Sequence, residues 1–178
     1  KSMTFDYRIG DCRELLKTVP SKSVRLVVTS PPYNIGKPYG KYKDKISLCD
    51  WQELLNDVTK EVYRILTPDG AFFLNLSPVP VGNSKEIVPL PFIGYKIFKD
   101  NGFCLWSEIC WEKYTPQRAM ISDGSLWYRK LKVRDAIIAA NFGFVYVYKK
   151  SKTGEMEKTT GSDITLEEWS TWASGVWK

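Results

Sequence analysis

Two periods of apolar residues take turns along the chain, one near two residues and one near 3.6. Residues 6–10 (DYRIG) read as a short strand, and Asp11 sits where it hands over to a helix, CRELLKTV, with Leu15, Leu16 and Val19 on one side. Pro20 ends that helix, because proline disfavours helical geometry in the residue before it. After the turn SKSV, the β-branched run RLVVT at 25–29 predicts a strand buried on both faces. Ser30-Pro31-Pro32-Tyr33 stops it, since neither proline can donate a ladder hydrogen bond. The polar stretch 34–48, rich in Gly, Lys and Tyr, reads as a mobile loop. Helical spacing returns at 50–66, where Leu54, Leu55, Val58, Val62, Ile65 and Leu66 form a stripe and Asp50 with Glu53 suits a capping box. Pro68-Asp69-Gly70 predicts a turn, AFFLNL at 71–76 a strand, and 78–91 a proline-bearing connection. A helix over 91–100 ends at Asn101-Gly102. Strands over 103–113 and 142–150, an irregular segment over 114–133 and a helix over 165–173 complete the chain. This order predicts an α/β domain with a mostly parallel sheet. In such sheets ligands bind beyond the carboxyl ends of the strands, and both Asp11 and Ser30–Tyr33 fall at such ends.

Composition narrows the chemistry. The 178 residues suit one domain, and 43% hydrophobic with 26% charged residues argues against disorder. No apolar run approaches the roughly 20 residues of a membrane-spanning helix, and the amino-terminal residues do not resemble a signal peptide. A soluble, cytoplasmic protein is expected. The complete absence of histidine removes Ser-His-Asp triads, Cys-His pairs and His-zinc sites. Cys12, Cys49, Cys104 and Cys110 form no C-x-x-C pair, so they read as reduced, mostly buried thiols, and no metal site is expected. Lys and Arg number 26 against 20 Asp and Glu, and the net charge of +6 favours a polyanionic partner, nucleic acid first.

The Ser-Pro-Pro-Tyr cluster is the candidate for chemistry. Two prolines fix a rigid corner with free carbonyl acceptors, Ser30 offers a hydroxyl, Tyr33 a flat aromatic face and Asn34 an amide. Acceptors of this kind hold the hydrogens of an exocyclic amine while an aromatic ring stacks on the base that carries it. Taken alone, the tetrapeptide is also compatible with a proline-rich turn that merely ends a strand. Its place directly after an apolar strand favours a site.

Thr29-Ser30-Pro31-Pro32-Tyr33-Asn34 resembles motif IV of the amino-methylating DNA methyltransferases, which transfer a methyl group from S-adenosylmethionine to cytosine N4 or adenine N6. Gly10-Asp11-Cys12 with Glu14-Leu15-Leu16, then Pro20, Ser23-Val24 and Leu26-Val27-Val28, is similar to the opening of the beta-class members. Tyr63 to Gly70 and the strand from Ala71, Ile109-Cys110-Trp111-Glu112-Lys113, and Val145 to Lys150 resemble later segments in the family's order. The resemblance implies a Rossmann-like S-adenosylmethionine-dependent methyltransferase sheet, mostly parallel with an antiparallel closing strand and incomplete in this chain. It divides the chain into a catalytic part over 1–150 and a linker, or the start of a target-recognition and cofactor part, over 151–178. The family's acidic-Pro-Phe-x-Gly-x-Gly segment does not occur in these residues. That leaves half of a split enzyme, a fragment, or a chain whose other part is not ordered, and so a second polypeptide or segment carrying the glycine-rich motif as partner.

By the same resemblance, Ser30, Pro31, Pro32 and Tyr33 are the catalytic residues. Ser30 and the Pro31 carbonyl accept from the target amine, and Tyr33 stacks on the flipped base. Asp11, Cys12 and Ser30 line the cofactor pocket, although Asp11 equally suits a helix N-cap. Serine at the first motif position favours cytosine N4 over adenine N6. Duplex DNA would meet Asn34, Lys37, Lys41 and Lys43 after the motif, and Arg118, Arg129, Lys130 and Lys132 later, though both segments also read as ordinary solvated loops. Met120 and Trp127 fit core packing better than a wedge between bases. A cognate restriction endonuclease is a further expected partner. A non-catalytic nucleic-acid-binding module and a methyltransferase of RNA or protein amines remain open.

Overall fold

The computed structural model describes residues 4–40, 42–80, 87–112, 142–150 and 164–177. Asp11 begins the first helix as its position predicts: its backbone is extended, and its carboxylate accepts from the Arg13 N–H at 2.9 Å, capping α1 (Cys12–Lys17). The helix end is held from elsewhere. Arg64 donates to the carbonyls of Leu16 at 2.9 Å and Val19 at 3.0 Å, satisfying groups that a short helix leaves unpaired. Residues 4–10 form no strand, and Phe5, Tyr7 and Ile9 are each at least 86% exposed. An alternating segment becomes a strand only beside another strand that takes its backbone hydrogen bonds.

β1 (Val24–Thr29) follows, then a small hairpin of β2 (Pro38–Tyr39) and β3 (Tyr42–Lys43), and the long helix α2 (Leu48–Ile65). The cap of α2 is Ser47, three residues before the expected Asp50. Its hydroxyl accepts from the Asp50 N–H at 3.0 Å, which places Asp50 in the first turn, where a negative charge is favourable. β4 (Leu66–Asn75) runs through the Pro68-Asp69-Gly70 turn as one strand. The turn survives as a bulge: Val24 pairs with Leu66 but Leu26 already with Ala71, so the extra residues loop out of the ladder. Gly70 lets the bulge lie close to β1, because a Cβ there would stand 3.1 Å from the Arg25 carbonyl and push its neighbours back by a few tenths of an ångström.

β5 (Val79–Pro80) and β6 (Ile87–Val88) pair within the proline-bearing connection, and α3 (Leu90–Asp100) leads to β7 (Cys104–Glu112). β8 (Phe142–Lys149), α4 (Leu166–Trp172) and β9 (Val176–Trp177) complete the described elements, with Thr165 and Glu168 forming a reciprocal cap on α4. The five-stranded sheet has the order β1-β4-β8-β7-β9. β8 is antiparallel to both neighbours, while β1, β4, β7 and β9 share one direction. The expected mostly parallel sheet with one antiparallel closing strand is therefore observed.

α2 and α3 pack on one face of the sheet. Trp51, Leu55 and Val62 of α2 meet Phe72 and Leu74 of β4 and Phe98 of α3, all at most 5% exposed. Phe98 stacks on Tyr148 at 4.1 Å between centroids and tilts against Phe72 at 4.9 Å. The other face is thinner, built on Ile109, Val145 and Val147. β1 departs from expectation. It forms an edge of the sheet, and Leu26 and Val28 are 55% and 70% exposed rather than buried. The cysteines differ too: all four are free, but Cys12 and Cys49 are exposed and Cys104 and Cys110 half-buried. Among the described residues no helix is long and apolar enough to cross a membrane, and no group of His, Cys, Asp or Glu could hold a metal ion.

Candidate active site

The sheet's carboxyl rim carries the Ser-Pro-Pro-Tyr corner. Thr29, the last residue of β1, pairs with Leu74, so Ser30 leaves the ladder beside the end of β4. Ser30 is exposed, and its Oγ lies 3.4 Å from the Tyr33 hydroxyl, at the limit of a hydrogen bond. Tyr33 is half-buried against the core, and its hydroxyl donates to the Asn75 carbonyl at 3.1 Å, tying the corner to the end of β4. The Trp51 indole N–H, in the first turns of α2, donates to the Pro32 carbonyl at 2.7 Å. The corner is thus tied to a strand on one side and a helix on the other.

The chain beyond it is folded around one carboxylate. Asp44 is 2% exposed, and its oxygens accept from the N–H groups of Asn34 at 3.0 Å, Ile35 at 3.3 Å and Lys37 at 2.9 Å. The Gly36 N–H donates to the Asp44 carbonyl at 2.6 Å. Asn34 (φ 60°) and Gly36 (φ 80°) take left-handed conformations that turn successive N–H groups inward. The Asn34 side chain bonds Ile46 twice, donating to its carbonyl at 2.8 Å and accepting from its N–H at 2.7 Å. The segment that reads as a mobile loop is therefore pinned at 34–37 and 44–46.

The structure brings Ser30, Pro31, Pro32, Tyr33 and Asn34 together by chain continuity and shared anchors. Lys37 is exposed next to them. Asp11 and Cys12 occupy a second place, the start of α1. There the Arg13 guanidinium and backbone N–H hold the Asp11 carboxyl below the usual carboxylate range. Although Cys12 is exposed as a residue, neighbouring atoms partly desolvate its thiol, which with the Asp11 charge second pushes the thiol up and disfavours a reactive thiolate. Both Asp11 carboxylate oxygens accept from Arg13, Oδ1 from its backbone N–H at 2.9 Å and Oδ2 from its guanidinium at 2.6 Å, and Phe5 and Tyr7, earlier in the chain, leave aromatic surface uncovered. Lys43 lies in β3 by its backbone. Lys41, Arg118, Arg129, Lys130 and Lys132, with Met120 and Trp127, lie outside the described residues.

Sequence reasoning missed Asp44, Trp51 and Asn75. Trp51 was findable, because it stands four residues before Leu55 and so extends the α2 stripe by a turn. Asp44 carries no such signal, since a solvated loop carboxylate and a buried anchor look alike in sequence.

A family model described as DNA methylase, of the N6- and N4-methyltransferase type, matches residues 24–178. The type II methyltransferase M.MjaVI of Methanocaldococcus jannaschii is 29% identical over 160 residues, covering 89% of this chain and 78% of that protein. The type II methyltransferase M.ScaI of Streptomyces caespitosus is 36% identical over 102 residues, covering 57% of this chain and 32% of that one. A protein of Thermus thermophilus assigned as a DNA modification methylase superposes with a TM-score of 0.71 at 26% identity, covering 96% of this chain and 65% of its own. The PvuII DNA methyltransferase, cytosine-N4-specific, shares the fold at 20% identity and a TM-score of 0.58. The chain thus spans about a third of M.ScaI and about two thirds of the Thermus protein.

Proposed function

Because the chain belongs to the N6/N4 DNA methylase family, we propose that it forms the catalytic region of an S-adenosylmethionine-dependent DNA methyltransferase, acting on cytosine N4 in duplex DNA. The observation that carries this reading is the rigid corner at the end of β1: an exposed Ser30 hydroxyl beside carbonyl acceptors, fastened to β4 through Tyr33 and to α2 through Trp51. S-adenosylmethionine supplies a sulfonium-activated methyl group when bound. Ser30 Oγ and the Pro31 carbonyl accept from the exocyclic amine and point its lone pair along the line of attack. Both acceptors strengthen as the nitrogen becomes positive, and the proton it then loses passes to solvent water during or after transfer, so no histidine base is needed. Tyr33 stacks on the flipped base. Asp11 and Cys12 line the adenosine end.

Lys37, with Lys41, Lys43, Arg118, Arg129, Lys130 and Lys132, supplies phosphate contacts. Asn34 spends its amide on Ile46 and so serves DNA binding by shaping the loop. The glycine-rich part of the cofactor site, on whichever polypeptide carries it, sits along the outer edge of β1. That edge supports the assignment, because it presents backbone groups and the exposed Leu26 and Val28 to a further strand. Incubating the complete protein with methyl-tritiated S-adenosylmethionine and unmethylated plasmid DNA tests the reading. Label recovered in N4-methylcytosine supports it, label in N6-methyladenine overturns the target, and transfer only to RNA or protein overturns the substrate.

A further inference from the structure

We propose that Asp44 and Trp51 are positioning residues for methyl transfer, holding the Ser30–Tyr33 corner and the turn after it in the geometry that receives the amine. The inference rests on the methyltransferase reading above. The hydrogen bonds described for these two side chains converge on residues 32–37, the corner's last two residues and the turn that leaves it. Burying a carboxylate to 2% exposure is costly unless its lone pairs are satisfied, and here three backbone N–H groups satisfy them. The same bonds hold Asn34 in a left-handed conformation one residue beyond Tyr33, which fixes the direction in which the chain leaves the corner. Trp51 acts from the other side. Its ring belongs to the core, while its N–H reaches out of the core to the Pro32 carbonyl at 2.7 Å. A strand could end at two prolines without either anchor. What the anchors add is a corner that cannot drift relative to β4 and α2, and misplacement of reacting groups by about 1 Å costs on the order of a hundredfold in rate.

Asp44→Asn replaces one acceptor oxygen by a donor at constant volume, and Trp51→Phe keeps an aromatic ring in the core while removing the donor to Pro32. Steady-state methyl transfer by the complete protein is measured for both, alongside thermal unfolding and amide exchange at 34–37. The expected result is a fall in kcat of about tenfold or more with KM for DNA within about twofold, while the unfolding midpoint drops, since both side chains are buried, but stays above the assay temperature. Amide exchange at 34–37 should also accelerate in Asp44→Asn. Unchanged kcat in both variants overturns the proposal, as does a KM for DNA that drifts in parallel with kcat and the unfolding midpoint, which is the signature of a purely structural role. An unsubstituted protein that transfers no methyl group overturns the methyltransferase reading itself and the positioning role with it. That failure is told apart because it occurs without any substitution.

Discussion

Substituting Tyr33 separates two functions held in one side chain. The hydroxyl makes a partly buried hydrogen bond to the Asn75 carbonyl, and the ring packs half-buried at the corner. Tyr33→Phe keeps the ring and removes the hydroxyl, and with it the bond to Asn75 and the 3.4 Å contact from Ser30 Oγ. Such a bond is worth about 0.5–1.5 kcal/mol net, so loosening the corner by that amount lowers kcat about two- to twelvefold, at 1.36 kcal/mol per decade. Tyr33→Ala removes the ring as well. Base stacking is worth about 1–3 kcal/mol, a further factor of about 5 to 150 in transfer. The assay is initial-rate transfer of tritiated methyl groups to a duplex carrying the protein's target, with circular dichroism to confirm the fold. The expected order is wild type, then Tyr33→Phe, then Tyr33→Ala, with the larger step at the second substitution. Equal activity of the two variants would mean that the hydroxyl is the whole effect and that no base stacks on this ring. Full turnover by Tyr33→Ala would refute both functions.

Ser30→Ala removes an acceptor facing a nitrogen that gains charge, worth about 1.5–3 kcal/mol, and should lower kcat about ten- to 150-fold with DNA affinity intact. Loss of binding in proportion would instead mark Ser30 as structural. Phe98→Ala opens a cavity where Phe72, Phe103 and Tyr148 meet and should cost about 3–5 kcal/mol in urea unfolding. A cost below about 1 kcal/mol would contradict the assigned core. The Asp11 carboxyl is depressed by Arg13, so its cap on α1 is present above the ordinary carboxylate range and is lost only as pH falls through the lowered value. Arg13→Ala should therefore shift the Asp11 titration, followed by carboxyl carbon NMR, toward higher pH, and an unmoved titration would rule out the pair.

The parts of the fold that were legible in sequence are those where one element's pattern decides its place. The α2 stripe and the alternation of β8 each state which side faces the core: Leu55, Val62 and Ile65 are buried as expected, with Leu54 and Val58 half-buried and Leu66 already in β4, and β8 alternates until Val147 and Tyr148, which are both buried. Where a neighbour decides, sequence misled. VRLVVT has the composition of a central strand, yet β1 lies at an edge of the sheet, because burial depends on what pairs beside a strand and not on the strand alone. The same holds for residues 6–10, which have a strand's alternation and no ladder. Pro68-Asp69-Gly70 has strong turn chemistry, but the parallel ladder resumes at Ala71 and absorbs the turn as a bulge. At the site, the corner was legible because two prolines after an apolar run are rare and rigid. Its anchors were not, because the bond from Trp51 to Pro32 spans 19 residues and that from Tyr33 to Asn75 spans 42.

The most direct measurement is mass spectrometry of nucleosides from the DNA of cells expressing the complete coding unit, compared with cells expressing its Ser30→Ala form. N4-methylcytosine in the first culture, strongly reduced in the second, is the expected result. Soluble protein with no methylated base in either culture, or equal methylation in both, would contradict methyl transfer at the Ser30–Tyr33 corner.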